Sequence, residues 1–263
     1  MDAWSGKLSQ SANSPPRQSD NMYGRQERGM CNASERAERF CRWFLRFNGY
    51  FSIENFIVHA SDDQTRISDG LVAPVTETDL LAVRMPHSRE IKGPLYVANF
   101  DPLVANAKGK MDVIIGEVKT GDSRPNSVWR PNGNLGAIEY LVRFIGLCST
   151  DDEVRKVASN LRTHFRFNSP TARYRYVIFC ETPNEHYAKA GVEYVTFTDM
   201  VRFLVQVRGQ CWIAANIGVA SVHYQWDALL KQIFNVINTP DVEAEHKISE
   251  VTRLILGEGQ SVS

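Results

Sequence analysis

Residues 111–121 read MDVIIGEVKTG. Val113, Ile114, Ile115 and Val118 form the branched apolar run expected of a strand buried on both faces. Glu117 and Lys119 nonetheless stand near its end. Side chains alternate along a strand, so these two share one face while Ile114, Gly116 and Val118 take the other. Upstream, TETDLLAVRM predicts a second strand with Asp79 at its polar entrance and Glu77 two residues earlier. If the two strands are neighbours, Asp79 and Glu117 come close together. Paired carboxylates repel, and a divalent cation relieves the repulsion. Mg2+ suits such a site: one or two carboxylates, a carbonyl oxygen, waters and phosphate oxygens of a substrate. A lysine beside the ion stabilises phosphate charge or holds an attacking water as hydroxide. Two acids, a lysine and a metal make a phosphodiester-cleaving site. Asp112, five residues before Glu117, is the rival aspartate, with strand entry as its simpler role. Glu77 is either a supporting acid or an exposed one.

The elements that must position these groups can be read along the chain. Residues 1–31 are rich in Ser, Asn, Gln, Pro and Arg without apolar period, and are expected to be a flexible tail. Asn32 and Glu35 have the spacing of a capping box, Phe40, Trp43, Phe44 and Phe47 recur at helical spacing, and Gly49 stops the helix. YFSIENFIVHA, TETDLLAVRM and MDVIIGEVK predict three strands, with a long insertion, Pro86 to Lys110, before the third. LGAIEYLVRFIGL and DDEVRKVASNLRTHF predict helices, RYRYVIFC and GVEYVTF strands. Thr198 or Asp199 is expected to cap a helix running to about Val207, and two more helices are predicted near Trp226–Ile237 and Asp241–Leu256. The order implies an α/β sandwich around a mixed sheet. Residues 32–208 form its core and 209–263 a C-terminal helical extension.

Asp79-Leu80-Leu81 on one strand and Glu117-Val118-Lys119 on the next resemble the PD-(D/E)xK nuclease superfamily. The order of elements from Glu35 to Leu147 is similar too, particularly to its Holliday-junction-resolvase-like branch. Thr78 stands where the family usually has proline. The resemblance implies a restriction-endonuclease-like three-layer sandwich, a central mixed sheet flanked by helices. It implies Mg2+ or Mn2+ held by Asp79, Glu117 and the Val118 carbonyl, Lys119 positioning or activating water, and Glu38 supporting the site from the first helix. Glu38 lies in line with Cys41 and Leu45, at the border of the apolar face. The activity implied is metal-dependent, endonucleolytic hydrolysis of DNA. The rival is a nuclease-fold protein without cleavage activity, acting as a nucleic-acid-binding or assembly subunit.

Thirty basic and thirty acidic residues cancel in this chain of 263, so any polyanion must be met by a local patch. From Val154 to Cys180 there are Arg155, Lys156, Arg162, Arg166, Arg173 and Arg175 and no acid, with His164, Phe165, Phe167, Tyr174 and Tyr176 interleaved. Arg155, Arg162 and Arg166 are expected along one helix line and Arg173 with Arg175 on one strand face. Together they would make a ridge for phosphate contact with base stacking. The expected partner is nucleic acid, DNA before RNA, with a homodimer or a protein partner as further possibilities, and no membrane. Five scattered cysteines without a CxxC pair read as reduced thiols of a cytoplasmic protein. GxxxxGK[ST], GxGxxG, GxSxG and HExxH are all absent, which removes the common phosphate-loop, dinucleotide, serine-hydrolase and zincin chemistries.

Overall fold

Helix α1, Ala33–Phe47, begins where Asn32 Oδ1 accepts the Glu35 backbone N–H at 2.9 Å. Its apolar stripe, Ala37, Phe40, Cys41, Phe44 and Leu45, is buried throughout. At about 1.5–3 kcal/mol for each fully buried Leu or Phe, that face fastens α1 to the sheet. Asn48 and Gly49, at φ 81°, then turn the chain. A computed structural model describes residues 32–59, 74–88, 91–92, 95–96, 99–104, 109–209 and 227–257, all within one unit, Cys31–Ser263. The expected N-terminal tail lies outside the described residues.

Strands β1 (Tyr50–His59), β2 (Pro74–Arg84) and β5 (Met111–Lys119) follow, with the short pair β3 (Ile91–Lys92) and β4 (Leu95–Tyr96) and the one-turn α2 (Asp101–Val104) inside the insertion. Next come α3 (Leu135–Ile145), α4 (Asp151–His164), β6 (Arg166–Asn168), β7 (Ala172–Cys180), α5 (Glu185–Lys189), β8 (Glu193–Thr196) and α6 (Phe197–Phe203). Helix α6 continues as a π-turn over Leu204–Arg208, and α7 (Ala228–Ile237) and α8 (Ala244–Leu256) complete the described chain. Among the described residues the sheet is mixed, ordered β1-β2-β5-β7-β6, with β8 on β7. β1, β2 and β5 are antiparallel neighbours, whereas β5 and β7 are parallel. A parallel partner needs a crossover, and α3 and α4 supply it. β7 is buried along its whole length because β5 covers one edge and β6 then β8 cover the other.

Helices pack on both faces. Leu80, Ala82, Ile114, Val118, Val177 and Phe179 meet α1, α6, α7 and α8. Leu81, Val113, Ile115, Tyr174, Tyr176 and Ile178 meet α3 and α4. The expected C-terminal extension therefore supplies two helices that share a core with α1. Asp227 ties them there, capping α7 through the Leu230 N–H at 3.1 Å and accepting the Trp43 Nε1 proton at 2.7 Å.

Some boundaries move. Thr196, not Thr198 or Asp199, caps α6, its hydroxyl accepting the Asp199 N–H at 3.0 Å. Strand β6 and helix α5 had no apolar period long enough to reveal them. Among the described residues no helix is long and apolar enough to cross a membrane.

Candidate active site

The ladder between β2 and β5 closes with Leu80 opposite Gly116. A Cβ on Gly116 would lie 3.2 Å from the Leu80 Cβ, the Leu80 carbonyl oxygen and the Phe179 ring, so a larger residue would push the strands or Phe179 aside by a few tenths of an ångström. One residue further on each strand stand Asp79 and Glu117. Asp79 Oδ2 accepts the Val118 backbone N–H at 2.7 Å, so its carboxylate takes the place of a ladder partner. This holds the Asp79 side chain against the very peptide that follows Glu117.

Glu117 is fully buried. Its Oε2 accepts the Asn126 backbone N–H at 3.2 Å and lies 3.4 Å from Lys119 Nζ. Lys119 Nζ donates to Asn126 Oδ1 at 2.9 Å. Oε1 of Glu117 has no hydrogen-bond partner. The Tyr176 hydroxyl is equally buried and makes no bond of normal geometry, although it lies near enough to Glu117 to favour its ionised form. Tyr176 is stacked on Trp129 with ring centroids 4.8 Å apart, and both rings are fully buried.

Burial sets the electrostatics. It pushes the Glu117 carboxyl above the usual range, Lys119 pulls it back, and Asp79 adds to the rise. Asp79 is raised by burial against the pull of the Val118 amide and Lys119. Glu38 on α1 is raised by burial too, opposed by the Ser34 hydroxyl, which donates to it at 2.9 Å, and assisted by Asp79 and Glu77. Cys41 beneath them is driven well up by burial, then by Asp79 and Glu38. Several acids with one lysine among them make an excess of negative charge that a cation would satisfy.

The fold thus brings Asp79, Glu117, Val118 and Lys119 together and sets Glu38 within electrostatic reach. Glu77 is exposed. Asp112 is set apart: it sits opposite Arg84 at the far end of the β2–β5 ladder, five residues or roughly 16 Å from Glu117. It stands near the start of β5, where a strand-entry residue would, and is no partner of Glu117. Its carboxylate is buried and accepts from Arg175 Nε at 3.0 Å, Arg175 Nη2 at 2.5 Å and Tyr50 Oη at 2.5 Å.

The expected basic ridge is corrected. Arg173 and Arg175 are buried in β7 and engaged by carboxylates: Arg173 by Glu193 at 2.8 Å, Arg175 by Asp112 and by Glu193 at 2.5 Å. Their charge is neutralised inside the protein and offers nothing to a polyanion. Phe165, Tyr174 and Tyr176 are buried as well and cannot stack on bases. Helix α4 ends at His164, because Phe165 adopts the left-handed conformation at φ 57°. Arg166 consequently lies on β6 instead of in line with Arg155 and Arg162. Arg155 is exposed and pairs with Asp152 at 2.7 Å, Arg162 is half-buried and Arg166 exposed.

Asn126 and Trp129 are the site residues that sequence reasoning misses, and Tyr176 is one that it assigns to base stacking instead. The first two fall in the aperiodic loop TGDSRPNSVWRPNGN, and the third is a core aromatic of its strand. Among the described residues no three His, Cys, Asp or Glu side chains form a ready metal cage, so a cation here would rest on two carboxylates and backbone oxygen. No protein-family model, curated protein or solved structure matches the chain.

Proposed function

We propose that this protein is a metal-dependent nuclease that hydrolyses DNA phosphodiester bonds endonucleolytically, built on a restriction-endonuclease-like core of the PD-(D/E)xK type. The observation that carries the reading is the convergence of Asp79, Glu117 and Lys119 at one end of the two adjacent strands β2 and β5. The element order supports it: a helix bearing Glu38, three antiparallel strands with the acids on the second and third, a helical crossover, then a parallel fourth strand.

The residues fit a divalent cation. Glu117 keeps a buried oxygen that makes no hydrogen bond of normal geometry, a condition that a cation would relieve. Asp79 and Glu117 with the Val118 carbonyl are hard oxygen donors of the kind Mg2+ or Mn2+ takes. Such an ion, when bound, supplies Lewis-acid stabilisation of phosphate charge and a lower pKa for bound water. Lys119 adds a fixed positive charge beside the carboxylates, anchored by Asn126 and Glu117. Glu38, repelled by Asp79, is placed to accept a proton or order a water. For the polyanion, Arg155, Arg162 and Arg166 remain as basic side chains of α4 and β6 that reach solvent, Arg155 of them paired with Asp152.

The test is incubation of the purified chain with Mn2+ or Mg2+ and branched, duplex and single-stranded DNA. Cleavage that needs the cation and disappears in Glu117→Gln is the expected result. DNA binding without cleavage under all these conditions would leave a non-cleaving nuclease-fold subunit instead.

A further inference from the structure

We infer that Asn126 is a positioning residue, a clamp that fixes Lys119 and decides which oxygen of Glu117 stays open. The inference rests on the nuclease reading but adds a residue outside the two-strand motif. Asn126 closes a triangle: its backbone N–H reaches Glu117 Oε2 at 3.2 Å, its Oδ1 receives Lys119 Nζ at 2.9 Å, and Lys119 and Glu117 are 3.4 Å apart. An ammonium group has donors only, so the amide must present its oxygen to Lys119 and its orientation is dictated. Asn126 also stands at the N-cap of the 3-10 turn Ser127–Trp129, yet its side chain makes no capping bond there. The side chain is committed to Lys119.

The loop that delivers Asn126 is tied down on both sides. Ser123 Oγ donates to the Thr182 carbonyl at 2.7 Å, and Tyr194 Oη donates to the Ser123 carbonyl at 3.0 Å. On the other side Arg130 Nε donates to the Pro125 carbonyl at 3.0 Å, and Trp129 is fully buried on Tyr176. Gly133 completes the turn, since a Cβ there would collide with the Val128 carbonyl. A rigid loop makes Asn126 a fixed point.

Two consequences follow from the geometry. A lysine side chain has four rotatable bonds and loses its freedom only when its head is held; Asn126 holds it. Without that acceptor the partly exposed ammonium would exchange between Glu117 and solvent instead of keeping one position. Asn126 N–H and Lys119 both engage Oε2, which leaves Oε1 without a bond of normal geometry, with the Tyr176 hydroxyl beside the same carboxylate. Asn126 is thereby a switchboard between base and acid of the motif, keeping each available for a separate task.

The experiment compares Asn126→Ala and Asn126→Asp in the full chain. Asn126→Ala removes the acceptor but keeps the backbone N–H to Glu117, while Asn126→Asp keeps an oxygen facing Lys119. Nitrogen-15 relaxation of the Lys119 ammonium, read without any metal or DNA, should show a rigid head group in wild type and Asn126→Asp and a mobile one in Asn126→Ala. With Mn2+ and supercoiled plasmid, Asn126→Ala should cleave about 10–100-fold more slowly at saturating DNA, with KM unchanged, as losses of orienting partners do. Asn126→Asp should recover most of that rate. A Lys119 ammonium equally rigid in Asn126→Ala overturns the clamp, as does undiminished cleavage by that variant. Equal rate losses in both variants that track equal falls in melting temperature also overturn it, in favour of a loop-stability role. Absence of Mn2+-dependent cleavage in wild type overturns the nuclease reading by itself, and the relaxation measurement still decides whether Asn126 holds Lys119.

Discussion

Arg175→Met should be among the most damaging single substitutions in the chain, although it lies outside the candidate site. The guanidinium is buried and donates to Asp112 twice, at 3.0 and 2.5 Å, to Glu193 at 2.5 Å, to Tyr50 Oη at 3.0 Å and to the Leu103 carbonyl at 2.6 Å. Burial works against its charge, but Asp112 and Glu193 more than offset that. Methionine keeps most of the stem and removes every donor. Glu193 still has Arg173, and Asp112 still has the Tyr50 hydroxyl, but Asp112 becomes a buried carboxylate without a countercharge. Stranding one partner of a buried pair costs about 3–5 kcal/mol. With a urea slope of about 2–3 kcal/mol/M, that is a fall of roughly 1–2.5 M in the unfolding midpoint. Asp112→Leu in the same background removes the stranded charge, so the double variant should be more stable than Arg175→Met alone. Equilibrium urea unfolding followed by circular dichroism on all four members of the cycle provides the measurement. A loss below about 1 kcal/mol for Arg175→Met, or additive effects in the cycle, would refute the reasoning.

Glu117→Gln should stabilise the metal-free protein at neutral pH, because a carboxyl whose folded pKa is raised favours folding only when protonated. That contribution is fully present below the ordinary value of 4.5 and is lost as pH rises through the higher folded value; thermal melts from pH 4 upward should fall in wild type more than in the variant. Lys119→Met should leave Mn2+ affinity by calorimetry intact and collapse turnover, whereas a purely structural ion pair predicts lost stability with rate preserved per folded molecule. Arg162→Ala with Arg166→Ala should weaken binding to all duplexes alike and lower the slope of log affinity against log salt by about 0.9 for each phosphate no longer neutralised; an unchanged slope would place the DNA track elsewhere. Gly116→Ala should cost about 1–3 kcal/mol by overpacking and weaken Mn2+ binding, since the new methyl pries at the strands that carry Asp79 and Glu117.

What the chain's own pattern determines is local. Asn32, the apolar spacing of Phe40, Phe44 and Leu45, and Gly49 suffice to define α1 and its buried face. Branched apolar runs define β2 and β5, and the two-residue period alone puts Glu117 and Lys119 on one side. Even the neighbourhood of Asp79 and Glu117 follows once two such strands are taken as adjacent. Burial of a charge is not local in this sense. Arg173 and Arg175 have the look of an exposed basic pair, and only the tertiary structure shows that β6, Glu193 of β8 and Leu103 of the insertion close around them. One carboxylate that neutralises Arg175 lies 63 residues earlier, on β5, and the other 18 residues later, on β8. The buried pairing of Asp112 is hidden from the sequence for the same reason. Asn126 lies in a loop without period, and its meaning arises only from the folded path that returns it to Glu117. A side chain's face is set by the geometry of its own element, but its countercharge is set by whatever element the tertiary fold lays against it.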